Sequence, residues 1–241
     1  MPLAERYISQ DISLYTEDNN QRPSIELSIA FPEATVSTSI TGGTTNLYNS
    51  VANCYFSTGV CGYYNGKPAI LTCGHIYQSL GDTIENSSGS EIGNVVQHCY
   101  GDGTTGDYEI IEVTNTSEFE ITNTIANQYY VKGTYPNPSE GVIVKTHGKA
   151  SGYAYGEVYQ TNISVKHSGS NYTIYGMMRV KVKAGSCTHG DSGAPFFTSS
   201  SYSYTLFAGI LSSFSTENSI TYISFTPWTK MSGSGFSVLT S

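Results

Sequence analysis

The chain has 241 residues, of which 12% are charged, and its formal net charge is −8. A chain of this length can bury a substantial core in one large or two small domains. Its negative charge and the absence of any run of Lys or Arg exclude nucleic acid as a partner, because phosphate binding needs clustered cations. It contains no apolar stretch as long as the roughly 18 residues that indicate a membrane span, so we expect no membrane partner.

The N-terminal residues differ from the rest of the chain. Residues 1–39 carry much of the acidic charge, and we interpret them as a separate arm. Met1 is not followed by a basic segment and an apolar segment, so no signal peptide is visible. This leaves three explanations: the sequence is numbered after processing, it is a fragment, or the protein stays inside the cell. The low charge content and polar composition favour an extracellular protein.

Over some 200 residues the chain is a succession of short strand patterns separated by Gly- and Asn-rich turns, among them the NG turn at 65–66. Helical periodicity is weak. A short helix is predicted near Pro227–Met231, and another one-turn segment could follow His75. With 20 Tyr and 25 Gly residues, about a dozen short strands predict an all-β barrel or sandwich. A proline-rich stretch at 135–139 divides the strands into two groups of similar size.

The cysteine pattern does not indicate a metal or redox motif. An odd number leaves at least one unpaired within the monomer, and no C-x-x-C pair occurs. No cluster of metal ligands and no phosphate-binding loop is visible, so we expect no metal and no cofactor. The five residues, whose pairing the sequence leaves open, are Cys54, Cys61, Cys73, Cys99 and Cys187.

The stretch GDSGAP places Ser192 between glycines, directly before an apolar run. This could be a surface turn or a loop that presents a nucleophile. A serine hydroxyl needs a histidine base, and the base needs a carboxylate that fixes its tautomer. His75 follows an apolar strand in AILTCGHI, although a solvated loop histidine is the alternative. A carboxylate stands at the start of the strand DYEIIEV.

That carboxylate is Asp107, which the apolar run behind it would shelter. Taken alone, it could also be a turn residue that caps a strand. Asp82 and Asp102 are rivals, but both lie in Gly-rich turns with no strand following them. The candidate triad in chain order is therefore His75, Asp107, Ser192.

Together, TCGH, GDYEIIEV and GDSGAP resemble the chymotrypsin-fold serine proteases, which use this order of His, Asp and Ser. ITGGTTNLYNS from Ile40, VKTHGKASGYAYGEV and the C-terminal FTPWTKMSGSGFSVLTS are similar to the bacterial streptogrisin and α-lytic protease branch. The resemblance covers about residues 40–241. It implies two packed antiparallel six-stranded β-barrels, about 40–135 and 139–241, with a short C-terminal helix or tail. Residues 1–39 would be an arm or a propeptide remnant.

The resemblance also implies roles for individual residues. Ser192 would be the nucleophile, His75 the general base and acid, and Asp107 the residue that orients His75. The amides of Gly190 and Ser192 would form the oxyanion hole. Ser212 matches the serine that supports the aspartate and lines the substrate cleft.

A second aspartate in the motif, Asp191, is buried beneath the loop in this family and needs a partner. The streptogrisin branch uses an arginine, and Lys149 stands at that position here. We therefore predict a Lys149–Asp191 ion pair that holds the loop in its active form; a surface lysine in a turn is the alternative.

Two disulfides of the family are missing. Phe56 and Ile76 stand where one bridge would be, so apolar packing is expected to replace it. Cys187 matches a family cysteine near the nucleophile whose partner is absent, and it would be a free thiol or pair elsewhere.

The substrate-binding positions that the resemblance marks are Ser186, Ser212, Phe214 and Ile220. Bulky walls shorten a pocket, so the expected function is an endopeptidase that cleaves after small or medium apolar residues. Leu211, where glutamate-specific relatives carry His, disfavours a Glu preference. We expect a secreted monomer that acts on proteins or peptides. The alternatives are a catalytically silent binding module and a protease inhibited by its own arm, residues 1–39.

Overall fold

The computed structural model describes residues 37–76, 79–167, 170–199 and 203–241. Of the predicted arm, residues 1–36 lie outside the described residues. Thr38 and Ser39 already belong to the first strand, which therefore starts two residues before Ile40. The segment proposed to turn after His75 is described only as far as Ile76.

The described residues are almost entirely β-strands. The strands are β1 (Thr38–Gly42), β2 (Asn46–Asn49), β3 (Cys54–Ser57), β4 (Val60–Tyr64), β5 (Lys67–Thr72), β6 (Thr83–Asn86), β7 (Glu91–Cys99), β8 (Tyr108–Val113), β9 (Phe119–Ile125), β10 (Tyr129–Thr134), β11 (Ile143–Gly148), β12 (Gly152–Lys166), β13 (Thr173–Ala184), β14 (Pro195–Ser199), β15 (Tyr204–Glu217), β16 (Ile220–Pro227) and β17 (Phe236–Val238). A 3₁₀ helix, Trp228–Lys230, lies between the last two strands and confirms the predicted short C-terminal helix. It is too short to cross a membrane, and the described residues contain no helix that could.

The first sheet has eight strands in the order β17-β4-β5-β8-β7-β6-β2-β3. Its centre is built from the apolar runs of β5 and β8, which pair antiparallel with Ile70 opposite Ile111. Asn65 and Gly66 both have positive φ, 51° and 80°. This is the two-residue turn that suits the twist of a β-hairpin, and it joins β4 to β5. Because β5 and β8 pair antiparallel, the C-terminal end of β5 lies beside the N-terminal end of β8.

The second sheet has nine strands, and six of them close on themselves. The order β15-β14-β11-β12-β13-β16 returns to β15 through a β15–β16 pairing. This ring matches one of the two six-stranded barrels that the family resemblance implies, and closure removes its exposed edges. The remaining strands β1, β9 and β10 join it at β15. Two of the pairings are parallel, β1 with β9 and β10 with β15, whereas antiparallel pairing was expected throughout.

Two apolar clusters fill these sheets. One lies beneath the first sheet and extends to Trp228 of the 3₁₀ helix, whose ring packs edge-on against Phe207 with centroids 5.7 Å apart. The other lies inside the closed ring, where Phe196 and Phe225 stack with centroids 4.5 Å apart. The all-β fold class predicted from the sequence is confirmed.

The cysteines form no disulfide. All five lie within the described residues and all are free thiols. Phe56 and Ile76, which stand where the family has a bridge, are both buried in the first cluster. Apolar packing therefore replaces that covalent link, as expected. Cys187 is also unbridged, and burial raises its pKa to about 12, with the nearby Asp191 contributing.

Candidate active site

The structure brings His75, Asp107 and Ser192 together, although they lie far apart in the sequence. His75 follows β5, Asp107 immediately precedes β8, and Ser192 precedes β14. Nδ1 of His75 lies 2.7 Å from Oδ2 of Asp107, and Nε2 lies 2.9 Å from Oγ of Ser192. Both distances are those of hydrogen bonds, and the histidine is in position to receive the serine proton.

Asp107 is completely buried, and its carboxylate is surrounded by donors. Oδ1 accepts the Gly74 amide at 2.8 Å, and Oδ2 accepts the Ser212 hydroxyl at 2.5 Å as well as His75. Thr226 Oγ1 accepts the Asp107 amide at 2.9 Å and donates to its carbonyl at 3.0 Å. Burial by itself would raise the pKa of Asp107, but His75 and the hydrogen bonds outweigh it and hold the pKa below its ordinary value. Asp107 is therefore an anion that can stabilise a cation on His75.

The loop that carries Ser192 depends on two glycines with left-handed backbone. Gly190 has φ of 98° and Gly193 has φ of 87°. A Cβ on Gly193 would also lie 2.1 Å from Thr72 Oγ1, so only glycine fits there. Among the described residues, the amides of Gly190 and Ser192 donate to no other group. Two free N–H groups beside the serine could therefore bind an oxyanion.

Ser57, a residue that sequence reasoning missed, ties this loop to the first sheet. Its amide donates to the Ser192 carbonyl at 2.8 Å, and its hydroxyl donates to the Gly190 carbonyl at 2.9 Å. It is fully buried at the end of β3. A lone serine in CYFS carries no local signal of this role, because both partners lie more than a hundred residues away in sequence.

The structure corrects the prediction for Asp191. Its carboxylate is buried and accepts the amides of Ala150 and Ser151 on Oδ1, at 3.0 and 2.9 Å. Oδ2 accepts the Thr188 amide at 2.8 Å and the Ser151 hydroxyl. Lys149 is exposed, and no Lys149–Asp191 ion pair is among the ion pairs of the described residues. The predicted ion pair is therefore wrong: neutral donors, not a lysine, compensate this buried charge.

A second histidine lies against the triad. His167 is buried, its ring meets that of His75 edge-on with centroids 5.0 Å apart, and its Nε2 lies 3.0 Å from Ser212 Oγ. Burial is the main reason that its pKa lies below the ordinary value. One potential ligand atom from each of His75, Asp107 and His167 lies within 4.8 Å of the others, a spacing that would suit a metal ion. In this structure, hydrogen bonds join these residues to one another and to Ser192 and Ser212.

Next to Ser192 lies an open cleft of about 730 Å³. Of the four predicted substrate-binding residues, Ser212 and Phe214 line this cleft. Ser186 and Ile220 do not: Ser186 is exposed and its carbonyl accepts the Ser151 hydroxyl, and Ile220 lies opposite Glu217 in the β15–β16 hairpin.

A charged pair that the sequence did not indicate, Arg179 and Glu217, also lines the cleft. The guanidinium lies 4.2 Å from the centre of the Tyr222 ring and donates to Ser215 Oγ at 3.1 Å. The cleft wall beyond Phe214 is therefore polar, with its positive and negative charges joined to each other.

No protein-family model matches the sequence, and no curated protein sequence matches it. Solved structures do. Thermobifida fusca protease A superposes with a TM-score of 0.69 at 22% identity, over 85% of this chain and 100% of that one. The chain has the chymotrypsin-like fold of bacterial serine proteases. A Nocardiopsis protease shares this fold, with a TM-score of 0.66 at 21% identity over 82% and 97% of the two chains. An α-lytic protease homologue shares it too, with a TM-score of 0.59 at 20% identity over 79% and 93%.

The chymotrypsin-like fold explains the arrangement of the site. It is the fold that the resemblance of TCGH, GDYEIIEV and GDSGAP implies, so that expectation is confirmed. At this level of identity the likeness concerns the fold, and the chemistry has to be argued from the side chains themselves.

Proposed function

We propose that the chain is a serine endopeptidase. The observation that carries the proposal is the hydrogen-bonded series from Asp107 through His75 to Ser192, with distances of 2.7 and 2.9 Å. Ser192 Oγ would attack the carbonyl carbon of the scissile bond while His75 Nε2 takes its proton. His75 would then protonate the leaving amine, and water would hydrolyse the acyl-enzyme by the same steps in reverse order. Asp107 would stabilise the imidazolium without taking the proton.

The amides of Gly190 and Ser192 are proposed as the oxyanion hole. The fact that neither amide donates elsewhere among the described residues supports this role. Asp191 is proposed as structural support for the loop that carries Ser192, because its carboxylate accepts the backbone amides of Ala150, Ser151 and Thr188. Donors fixed in advance stabilise the developing charge without reorganisation, which is often the largest single contribution to such catalysis.

The decisive experiment is labelling with a serine-directed fluorophosphonate. Wild-type protein should be labelled and should hydrolyse casein. Ser192→Ala should lose the label and lower turnover by about 10⁴- to 10⁶-fold, because the triad acts as a unit. Ser232→Ala, at an exposed serine after the 3₁₀ helix, is the matched control and should retain both. Labelling that persists in Ser192→Ala would contradict the proposal.

Absence of labelling in the wild type would favour the alternatives. If a chain that begins at Ser37 is then labelled, the arm blocks the site. If that chain is also silent, the protein is a binding module on a protease fold.

For specificity we propose small or medium apolar side chains before the cleaved bond. Phe214 supports this preference because it lines the cleft and meets His189 edge-on with centroids 5.6 Å apart, which shortens the available space. Arg179 is already paired with Glu217, which leaves less charge to attract an acidic side chain. A peptide-library digest should therefore show cleavage after Ala, Val or Leu, and a preference for Arg or Glu would refute this assignment. Phe214→Gly should shift cleavage toward larger residues.

The natural setting that fits this activity is outside the cell, with the protein acting as a monomer on peptide substrates. The low charge content supports this assignment. Detection of the protein in culture medium, and a monomeric mass in solution, would test it.

A further inference from the structure

The hydrogen-bonded series from Asp107 through His75 to Ser192 does not include one buried imidazole, that of His167. His167 follows β12 and is only 8% exposed. Its Nε2 contacts the hydroxyl of Ser212, which in turn contacts Asp107 Oδ2. Tyr100 contacts its other nitrogen, with Oη 3.3 Å from Nδ1. Every polar atom of this buried ring therefore has a partner, and the partners lead to the triad.

The ionised carboxylate fixes the direction of these hydrogen bonds. Asp107 can only accept, so the Ser212 hydroxyl donates to it. Ser212 Oγ then accepts from His167, which must carry its proton on Nε2. A neutral imidazole has one N–H, so Nδ1 accepts from the Tyr100 hydroxyl. Tyr100 can in turn accept from Ser170 Oγ at 3.0 Å. One tautomer of His167 satisfies the whole series.

The surroundings keep His167 neutral. Burial lowers its pKa most, and the neighbouring His75 lowers it further, against the opposing effect of Asp107. Among the residues that the structure describes, the other polar groups that contact it are the hydroxyls of Ser212 and Tyr100. A cation on His167 would repel the imidazolium that forms on His75 during the reaction, at a centroid distance of 5.0 Å. Neutrality is therefore the state that supports catalysis.

We propose that His167 is a positioning residue of the triad. Its Nε2–H directs the Ser212 hydroxyl onto Asp107, and the carboxylate held in this way keeps His75 as the Nδ1–H tautomer with Nε2 free to accept the serine proton. The kinetic consequence rests on the proposed peptidase function, whereas the tautomer of His167 does not. His167 acts through Ser212 and Asp107, so it should affect turnover rather than substrate binding.

The first test separates kcat from KM on a peptide substrate. His167→Phe keeps a ring against His75 but removes the donor, and kcat should fall about tenfold with KM unchanged, which is the size of one hydrogen bond. His167→Gln supplies an amide donor and should recover part of the loss. The double variant with Ser212→Ala should be no slower than Ser212→Ala alone, because both changes break the same series. An unchanged kcat, or a rise in KM alone, would overturn the proposal, since His167 also borders the cleft.

A matched pair of tyrosines provides the second test. Tyr100 and Tyr172 are neighbours, with ring centroids 5.5 Å apart, but only Tyr100 contacts His167. Tyr100→Phe removes the hydroxyl that selects the tautomer and should lower kcat several-fold. Tyr172→Phe makes the same change on an exposed ring and should leave kcat at the wild-type value. Equal effects of the two variants would contradict the proposal.

The third test needs no activity. Nitrogen-15 NMR of the histidine rings in the full chain should report His167 as the neutral Nε2–H tautomer near neutral pH. The low-field Nδ1–H resonance of His75 should move in His167→Phe. An Nδ1–H tautomer for His167 would overturn the inference even in a fully active protein. Conversely, if fluorophosphonate labels neither the wild type nor the chain that begins at Ser37, the peptidase assignment fails and the NMR result still stands.

Discussion

The way in which Asp191 is stabilised can be tested by comparing two substitutions at neighbouring sites. Lys149→Ala removes the cation that the sequence resemblance assigns to Asp191. Asp191→Asn removes the negative charge but keeps the size and one carbonyl-type oxygen. If neutral donors hold the loop, Lys149→Ala should leave the Tm of unfolding and the turnover at wild-type values. Asp191→Asn should lower both the Tm and the turnover.

The hydrogen bonds determine the expected size of the effect. In Asp191→Asn the remaining oxygen can still accept the amides of Ala150 and Ser151. In the wild type the Thr188 amide donates to Oδ2 of Asp191 at 2.8 Å. In the variant the new NH₂ group takes the place of Oδ2, so two donors oppose each other. Losing a hydrogen bond to a charged acceptor and setting two donors against each other costs about 3 kcal/mol in the free energy of unfolding. For a domain of this size that corresponds to a fall in Tm of about 6–12 °C.

The assay is thermal unfolding followed by circular dichroism, with the rate of fluorophosphonate labelling as a second readout. Labelling should slow in Asp191→Asn because the loop that holds Ser192 loses its anchor. The reasoning would be refuted if Lys149→Ala lowered Tm as much as Asp191→Asn. It would also fail if Asp191→Asn unfolded at the wild-type temperature.

Three further predictions concern groups close to the site. Gly148→Ala should destabilise by about 1–3 kcal/mol, because its Cβ would lie 2.2 Å from Asp191 Oδ1; Gly233→Ala, with open space, is the control in the same melts, and equal Tm losses would contradict this. Burial raises the pKa of Glu109 well above its ordinary value of 4.5, so the charge costs stability as pH rises above that value. Glu109→Gln should match wild type in Tm below about pH 4.5 and exceed it at neutral pH, and a gap independent of pH would argue against a neutral carboxyl. Thr226→Val leaves a buried amide at the head of β8 without an acceptor and should cost about 1–3 kcal/mol in urea unfolding; a change below the measurement error would count against that contact.

The triad could be predicted from the sequence because each member ends or begins a strand with a strong local pattern. The runs before His75 and after Asp107 read as buried strands, and GDSGAP supplies the turn for Ser192. A bend that needs left-handed backbone favours glycine, so the glycines in the sequence indicate the loop. The same is true of the Asn65–Gly66 turn, which the fold places between β4 and β5.

The supporting residues could not be predicted in this way. His167 lies beyond a 15-residue strand that, together with β13, has four register shifts. A one-residue slip moves a side chain to the opposite face of a strand. The position of His167 beside Ser212 therefore depends on bulges that the sequence pattern does not reveal. Ser186 and Ile220, which the resemblance assigned to the cleft, do not line it.

The two buried aspartates show why a missing cation was hard to foresee. Asp107 accepts one backbone amide, that of Gly74, but its other partners are the side chains of His75 and Ser212, which can be found by matching motifs. Asp191 receives three backbone amides and one hydroxyl, and backbone amides are present at almost every residue. A carboxylate that accepts several amides needs no ion pair, because hydrogen bonds stabilise its charged form directly. Such a shell is specified by the path of the chain through residues 148–151 and 188–191, so only the fold reveals it, whereas a lysine in the right segment suggests an ion pair that the fold does not form.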